Sequence, residues 1–467
     1  MTLLQNTTER IAGFAVETKY EDLPRDVIQE TNRLILDSIG CTIGGTRTEK
    51  GRIGILFGEQ LFKPGKTTII GYGKNASPAS SAFSNGEAMN ALDYESLLSP
   101  PEHLTPYVMP ACITGCEMNR VSGKELILSI AIAHEITTRL SESLTFGKRF
   151  AVEVKEKGLT LGLPTPGYGL CLFGGIAGAG RAIKFTAEEI ANAIGIGGYT
   201  CPVPMLGKFA TTIPTPMSKY LSSGWISQTE IMSLLLTRLG HRGDREILDG
   251  EYGFFRYFGS DNWAPEQALK DLGKNWHFAN RIFYKTYPCC GAMQNGLGLF
   301  QQILDSNNLF TEDIEEVTVV LNPLGALPAW KNRNIDTHVD IQFSTPFLFS
   351  LLAHRVKAGP LWQSEGVLKD DAIRKFAQKI KVLTTLDKEA EGHAEITVIS
   401  SGKRGKKVYR ESGFSMAVAM SEERLIDKFR TNANEVIGPE KTQRAVDTIL
   451  GLEDLEDISL LMDLLVP

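Results

Sequence analysis

What the 467-residue chain lacks narrows its possibilities first. No apolar run approaches the ~20 residues that a bilayer-spanning helix needs, so no membrane partner is expected. There is no basic surplus: 49 Lys and Arg stand against 55 Asp and Glu, a formal charge of −6. The cations are also scattered, which argues against a nucleic-acid partner. Seven cysteines, at 41, 112, 116, 171, 201, 289 and 290, are odd in number and widely spread. They form no disulfide framework and show no zinc spacing, so reduced, mostly buried thiols are expected. The opening stretch MTLLQNTTERIAGFAVETKYEDLP has no basic segment leading into an apolar run, and it carries acids, so neither a signal nor a transit peptide is expected. Repeats and low-complexity segments are absent too. A cytoplasmic protein is the resulting expectation.

The chain is long for one core, which predicts two domains. Its first 270 or so residues read as helices. RDVIQETNRLILDSIGCTIGG places Val27, Thr31, Leu34, Ile35, Ser38 and Ile39 on one face and stops at Gly44 and Gly45. Ser122 with Glu125, and Thr186 with Glu189, have capping-box spacing. MSKYLSSGWISQTEIMSLLLTRLG reads as a long helix ending at Gly240. The small residues of GGIAGAGRAI suit close helix packing, and their glycines do not fit the dinucleotide fingerprint. The pattern changes near residue 280. IEEVTVVLN (314–322) and HAEITVIS (393–400) alternate and are rich in β-branched residues, so strands are predicted, with GKRGKKVYRE as a hairpin arm. The last fifty residues return to helix. The expected fold class is mainly α with an α+β insertion. A large helical domain would comprise 1–275 and 411–467, and a smaller α+β lid 276–410. The cleft between them would hold a small-molecule site.

NALDYESLLSPPEHLTPYVMPA (90–111) sets Asp93 and His103 ten residues apart among four prolines that oppose helix, so a stiffened loop is predicted. A histidine titrates near neutral pH, and a nearby carboxylate can fix its tautomer. The same spacing equally suits a packed loop histidine with Asp93 as a helix cap. Lys219 follows a proline-rich loop at the start of a helix, where the helix dipole opposes it. It reads either as a binder of substrate carboxylate or as a solvated surface lysine. NRIFYKTYPCCGAMQNGLGLF (280–300) gathers Arg281, Tyr284, Lys285 and Tyr287 before a Pro-Cys-Cys-Gly turn. No histidine other than His277 lies near Cys289 and Cys290, which favours structural thiols over a nucleophile. His134 and His354 lie inside apolar helices as packing residues. No pair of histidines has metal-ligand spacing, so no metal is expected.

Taken in order, these segments resemble the MmgE/PrpD family, which includes 2-methylcitrate dehydratases and cis-aconitate decarboxylases. LILDSIGCTIGG is similar to its N-terminal helix, and NGEAMNALDYES…EHLTPYVMPA to its aspartate turn and histidine. MSKYLSSGW is similar to its lysine segment, KTYPCCGAMQNGLG to its lysine–tyrosine–proline–cysteine turn, and IQFSTPFLFSLLA and ERLIDKFRTNA to later elements. The resemblance implies a helical domain with an α+β lid, a homodimer, no cofactor, and catalytic roles for Asp93, His103 and Lys219. Lys208, Lys285, Tyr287 and Gln294 are expected to line the substrate site.

Departures from the family pattern matter. Leu163 stands where the family has a histidine before Pro-Thr, Gln294 where it has a second histidine, and Leu97 at a hydroxyl position. A site without two imidazoles should take a less anionic, more apolar substrate than citrate-type acids. The expected activity is a cofactor-free lyase of dehydratase or decarboxylase type, acting next to a carboxylate or carbonyl on a specialised metabolite. In it His103 is the acid–base group, Asp93 orients the ring, and Lys219 stabilises negative charge. Two further expectations stand beside it. The same base and cation would serve an isomerase, epimerase or cyclase. Loss of two histidines would also fit a non-catalytic ligand-binding relative.

Overall fold

A computed structural model describes residues 6–61, 64–98, 103–145, 151–154, 159–162, 168–202, 207–219, 223–258, 260, 262–321, 323–384, 393–402, 405–413 and 420–467. The protein is mainly α, with one α+β region in its C-terminal part. Helix α1 (Arg25–Gly45) buries the predicted face and ends where Gly44 and Gly45 were expected to stop it. Its other face is buried as well, including Asp37, Gly40 and Cys41, because the later helix Glu422–Ile437 packs there.

Helices α2 (Glu49–Leu61), α3 (Pro78–Ala91), α4 (Thr105–Asn119), α5 (Gly123–Glu142), α6 (Cys171–Ala182), α7 (Ala187–Thr200) and α8 (Ser223–Arg238) form most of the rest of the N-terminal body, with a further helix, Thr7–Glu17, ahead of α1. Thr186 and Glu189 form the predicted capping box of α7. Ser122 caps α5, but the Glu125 carboxylate turns away to pair with Arg181 at 2.9 Å. The small residues of α6 do permit close approach: a Cβ on Gly178 would sit 2.5 Å from the Ser129 carbonyl oxygen of α5. Gly224 of α8 is tighter in its consequence. A Cβ there would meet the Phe83 carbonyl oxygen at 2.6 Å, so its absence seats α8 directly on α3.

Two helix starts differ from expectation. The proline-rich stretch becomes helical at Thr105, because Pro106 occupies the first turn, where its missing N–H costs nothing, and Pro110 is carried inside α4. Lys219 is not within the first turn of α8; it lies in a turn ahead of Ser223.

Strands β1 (Ile314–Leu321), β2 (Ile380–Thr384), β3 (Ala394–Gly402) and β4 (Gly405–Gly413) form one sheet in the order β2-β1-β3-β4. β1 and β2 are parallel, and the β3–β4 hairpin is antiparallel. β1, β3 and β4 match the predicted strands; β2, a short edge strand, was not foreseen. Helices α9 (Gly291–Ser306) and α10 (Thr345–Ala353) belong to this region, and α10 is capped by Ser344. Helix α11 (Glu422–Ile437) returns to α1, where a Cβ on Gly40 would meet the Phe429 Cα at 3.2 Å. A two-residue pairing matters most for the site: Leu97–Leu98 runs antiparallel to Ile282–Phe283, with Leu97 opposite Phe283.

Candidate active site

That pairing brings the chain after α3 alongside the chain entering α9, and it sets Lys285 beside Asp93. Asp93 adopts the left-handed conformation (φ 53°), which Asp tolerates better than most residues. Its carboxylate is fully buried between two ammonium groups. Lys285 Nζ lies 2.5 Å from Oδ1 and also donates to the Asp93 carbonyl at 2.9 Å; Lys219 Nζ lies 3.0 Å from Oδ2. The Lys219 ammonium also stands 5.1 Å from the centre of the Phe343 ring.

The carboxylate bonded to the His103 ring is Glu95, not Asp93. Nδ1 of His103 is 2.6 Å from Glu95 Oε1, whereas Nε2 is 3.8 Å from Asp93 Oδ1. An ionised carboxylate only accepts, so Nδ1 carries a proton and Nε2 is the nitrogen turned towards Asp93. Glu95 Oε1 also accepts from Asn90 Nδ2 at 2.6 Å, and Asn90 Oδ1 accepts from the buried Lys50 at 3.1 Å. Orientation of the ring therefore runs back through Glu95 and Asn90 to α2.

The loop's backbone is held just as fully. Gln342 donates to the Ala91 carbonyl at 2.8 Å and Gln363 to that of Leu92 at 2.6 Å. Lys428 donates to the carbonyls of Tyr94 at 2.7 Å and Lys285 at 3.0 Å, and it pairs with Asp37 at 2.7 Å. Asp37 in turn accepts from the Ser96 N–H at 3.0 Å.

Burial opposes every charge here, so the shifts show which neighbours prevail. For Asp93, burial raises the pKa, but Lys219 and Lys285 outweigh it and hold the carboxyl well below its ordinary range. Burial likewise raises Glu95, yet Lys285 and His103 bring it down to about 2. Lys219 is pushed down to about 8 by burial, with Lys50 and Lys285 adding to the effect against Asp93. Lys285 moves the other way: burial lowers it, and the two carboxylates outweigh burial. One of the two ammonium groups is thus easily neutralised and the other is firmly charged.

Asp93, Glu95 and His103 bring three potential metal-ligating atoms within 4.8 Å of one another. Their oxygens already carry lysine, histidine and asparagine, and two ammonium charges beside them repel a further cation. The donor set fits proton transfer better than metal binding.

The remaining expected residues divide. Tyr287 is buried and stacks on Trp362, ring centres 5.6 Å apart. Gln294 spends its amide on the turn: Oε1 accepts from the N–H groups of Thr286 and Tyr287 at 3.0 and 3.1 Å, and Nε2 donates to the Tyr287 carbonyl at 2.8 Å. It shapes the loop that carries Lys285 and has little left for a substrate. Leu97 is half-buried against Gly291. Lys208 is exposed, on the short turn Gly207–Thr211, and takes no part in the buried cluster. Leu163 lies outside the described residues. All seven cysteines are free, and burial pushes the Cys289 thiol well up, as befits a structural group. His134 is satisfied by the Ile130 carbonyl at 2.7 Å and Thr105 at 3.1 Å, the packing role expected of it.

A buried imidazole backed by a carboxylate, facing a carboxylate neutralised by two lysines, is an arrangement able to transfer protons and to balance negative charge. Comparison with known proteins gives the same direction. The MmgE/PrpD N-terminal domain matches residues 9–266 and the MmgE/PrpD C-terminal domain residues 287–454, and the chain belongs to this family. It is 24% identical to a cis-aconitate decarboxylase of Aspergillus terreus, over 98% of this chain and 95% of the relative. It is 23% identical to the cis-aconitate decarboxylase-like protein oryM of Aspergillus oryzae, over 98% and 97%. It is also 23% identical to the cis-aconitate decarboxylase of Mus musculus, over 99% and 94%. Family and relatives support an enzyme of the lyase class. Among the described residues no helix is long and apolar enough to cross a membrane.

The depressed carboxyl of Glu95 gives an acid-stability prediction. A carboxylate whose folded pKa lies below its unfolded value stabilises the fold above the unfolded value, and that contribution is lost as the pH falls towards the folded value. Wild type should therefore lose more unfolding free energy than Glu95→Gln between about pH 5 and about pH 3, by on the order of 1 to 2 kcal/mol. Denaturant midpoints at the two pH values measure this; parallel losses would contradict the placement of Glu95.

Proposed function

We propose that the chain is a cofactor-independent lyase that removes carbon dioxide or water from a small carboxylic acid by proton transfer at His103. The observation that carries this reading is the His103–Glu95 pair set against the Asp93–Lys219–Lys285 charge cluster. In a decarboxylation, the bond to the leaving carboxyl breaks and its electron pair passes into an enolate of the neighbouring carboxyl or carbonyl. Lys219 and Lys285 balance the charge that develops, and a proton from His103 Nε2 completes the carbon. In a dehydration, the same nitrogen first removes the α-proton, and the enolate then expels hydroxide. Electrostatic stabilisation of the enolate is the larger requirement in both. Lys219 can serve it in either charge state near neutral pH, since its pKa of about 8 lets it donate a hydrogen bond or a full charge.

The substrate, in this reading, is a specialised metabolite with fewer charges than cis-aconitate. What supports this is that Gln294 is neutral and committed to the loop and Leu97 is apolar, so neither offers a charge to a carboxylate. We also read 276–410 as a lid over this site and the enzyme as cytoplasmic. His103→Ala and Lys219→Ala should each lower turnover by ~100-fold or more. The assay follows carbon dioxide release and product mass for cis-aconitate and for less charged unsaturated acids. Wild-type turnover in either variant would overturn the assignment, and a product of unchanged mass would turn it towards an isomerase.

A homodimer is part of the same reading. Ile53, Leu56 and Phe57 of α2 and Trp225 and Met232 of α8 are exposed large apolar side chains. Phe57, Phe83 and Trp225 are mutually in contact, with ring centres 5.3 to 5.9 Å apart, so this is one continuous patch beside the helices that carry Lys50 and follow Lys219. A second copy would cover it. Phe57→Glu combined with Trp225→Glu should halve the mass seen by sedimentation; an unchanged mass would exclude this face.

A further inference from the structure

Next to the loop that carries Asp93 lies a cavity of about 530 Å³ whose lining includes neither His103 nor Lys219 and which the proposed reaction does not use. Tyr94 separates the two: its neighbours Asp93 and Glu95 belong to the buried acid–base cluster, while its own ring lines the cavity. Four cations border this space, Lys357, Arg424, Lys428 and Arg430, against one acid, Asp427. This is a local excess of positive charge in a chain whose net charge is −6.

Sequence explains how the cations converge. Arg424, Lys428 and Thr431 recur at helical spacing along one face of α11, while Leu425 and Phe429 of the same helix are buried. Lys357 reaches the cavity from the segment after α10. Asp427 is already matched by Arg430 at 3.3 Å. Arg424 makes only a long contact to the Thr286 hydroxyl, 3.5 Å, and Lys357 has no carboxylate partner among the described residues. Two exposed cations are therefore left without counter-charge among the described residues, over a floor formed by Lys428. That floor is itself built: Lys428 is 6% exposed, its ammonium stands 3.8 Å from the centre of the Tyr94 ring, and it holds the Tyr94 and Lys285 carbonyls.

We propose that this cavity is an anion-binding site, separate from the catalytic cluster, for a small molecule with two or more negative charges carried on carboxylate or phosphate groups. Arg424 supplies a planar fork and Lys357 a mobile point charge, the pair of donors that such groups match best. Partial enclosure raises the strength of both over that of open surface charges. An occupant meets the ammonium that clamps the catalytic loop, so the site is placed to influence that loop. The inference rests on the cavity and its charges and stands independently of the reaction assigned above.

Calorimetric titration with tricarballylate, an unreactive tricarboxylate, and separately with inorganic phosphate, tests it in three proteins. Lys219→Ala, impaired at the catalytic cluster, should still bind at least one of the two anions saturably, with an affinity close to that of the second site in wild type. Lys357→Glu combined with Arg424→Glu changes only exposed side chains and should weaken that same binding at least tenfold. Whichever anion shows this dependence identifies the headgroup chemistry. Equal affinity in the double variant and wild type, or no saturable binding of either anion to Lys219→Ala, would overturn the proposal.

Discussion

A single buried carboxylate, that of Asp93, organises this protein. Taking a carboxylate out of water costs several kcal/mol, and attraction to one cation repays that only when the geometry is good. Here two ammonium groups share the task, one on each oxygen. The lysines come from two separate turns, so neither can sit where it does unless the turn before α8 and the turn before α9 both close on the end of α3. Removing one lysine leaves the carboxylate a single buried partner, whereas removing both would strand a buried charge, among the costliest defects a core can carry. The same arrangement gives the two lysines different characters: Lys285 is locked in its charged form, and Lys219, lowered to about 8, is still charged at neutral pH but gives up its proton more readily.

Around this centre the charges balance by number. Asp37, Glu87, Asp93 and Glu95 are buried alongside Lys50, Lys219, Lys285 and Lys428, four of each sign. The outer pairs act on the inner ones through backbone and amide contacts. Glu87 accepts the Gly224 N–H at 2.8 Å and so ties the start of α8 to α3. Lys428 and Asp37 clamp two backbone groups of the Asp93–Ser96 loop and one, the Lys285 carbonyl, of the turn before α9. A loop so held has little freedom to rearrange, which is what a site needs if its dipoles are to be in place before charge develops.

Much of this could be read from the residues alone, for identifiable reasons. Helical periodicity pointed to α1, capping-box spacing to α5 and α7, and β-branched alternation to β1 and β3, because all three patterns are local. Asp93 and His103 stood out because polar residues among prolines need a reason to be there, whereas Lys219 was singled out through a helix start that it does not occupy. Lys285 was noticed as a lining residue, but its pairing with Asp93 depends on the Leu97–Phe283 register, which no local pattern encodes. Glu95 was overlooked as the partner of His103 even though it lies in the same stretch; the signal was its position eight residues before the ring, and Asp93 drew the role instead. Lys50, Lys428, Gln342 and Gln363 act across long sequence separations. Their only trace in the sequence is a polar side chain at a position whose neighbours are buried. Strand β2 escaped because it is five residues long and half exposed at the sheet edge.

The most direct test is a titration of the Lys219 amine, followed by NMR of ¹³C-labelled lysine, in wild type and in Asp93→Asn. Wild type should titrate at about 8, and the variant lower still, because the isosteric amide removes the one charge that favours the ammonium most. A Lys219 that titrates at ~10.4 like a free lysine, or one indifferent to Asp93→Asn, would show that the two groups do not share a buried site.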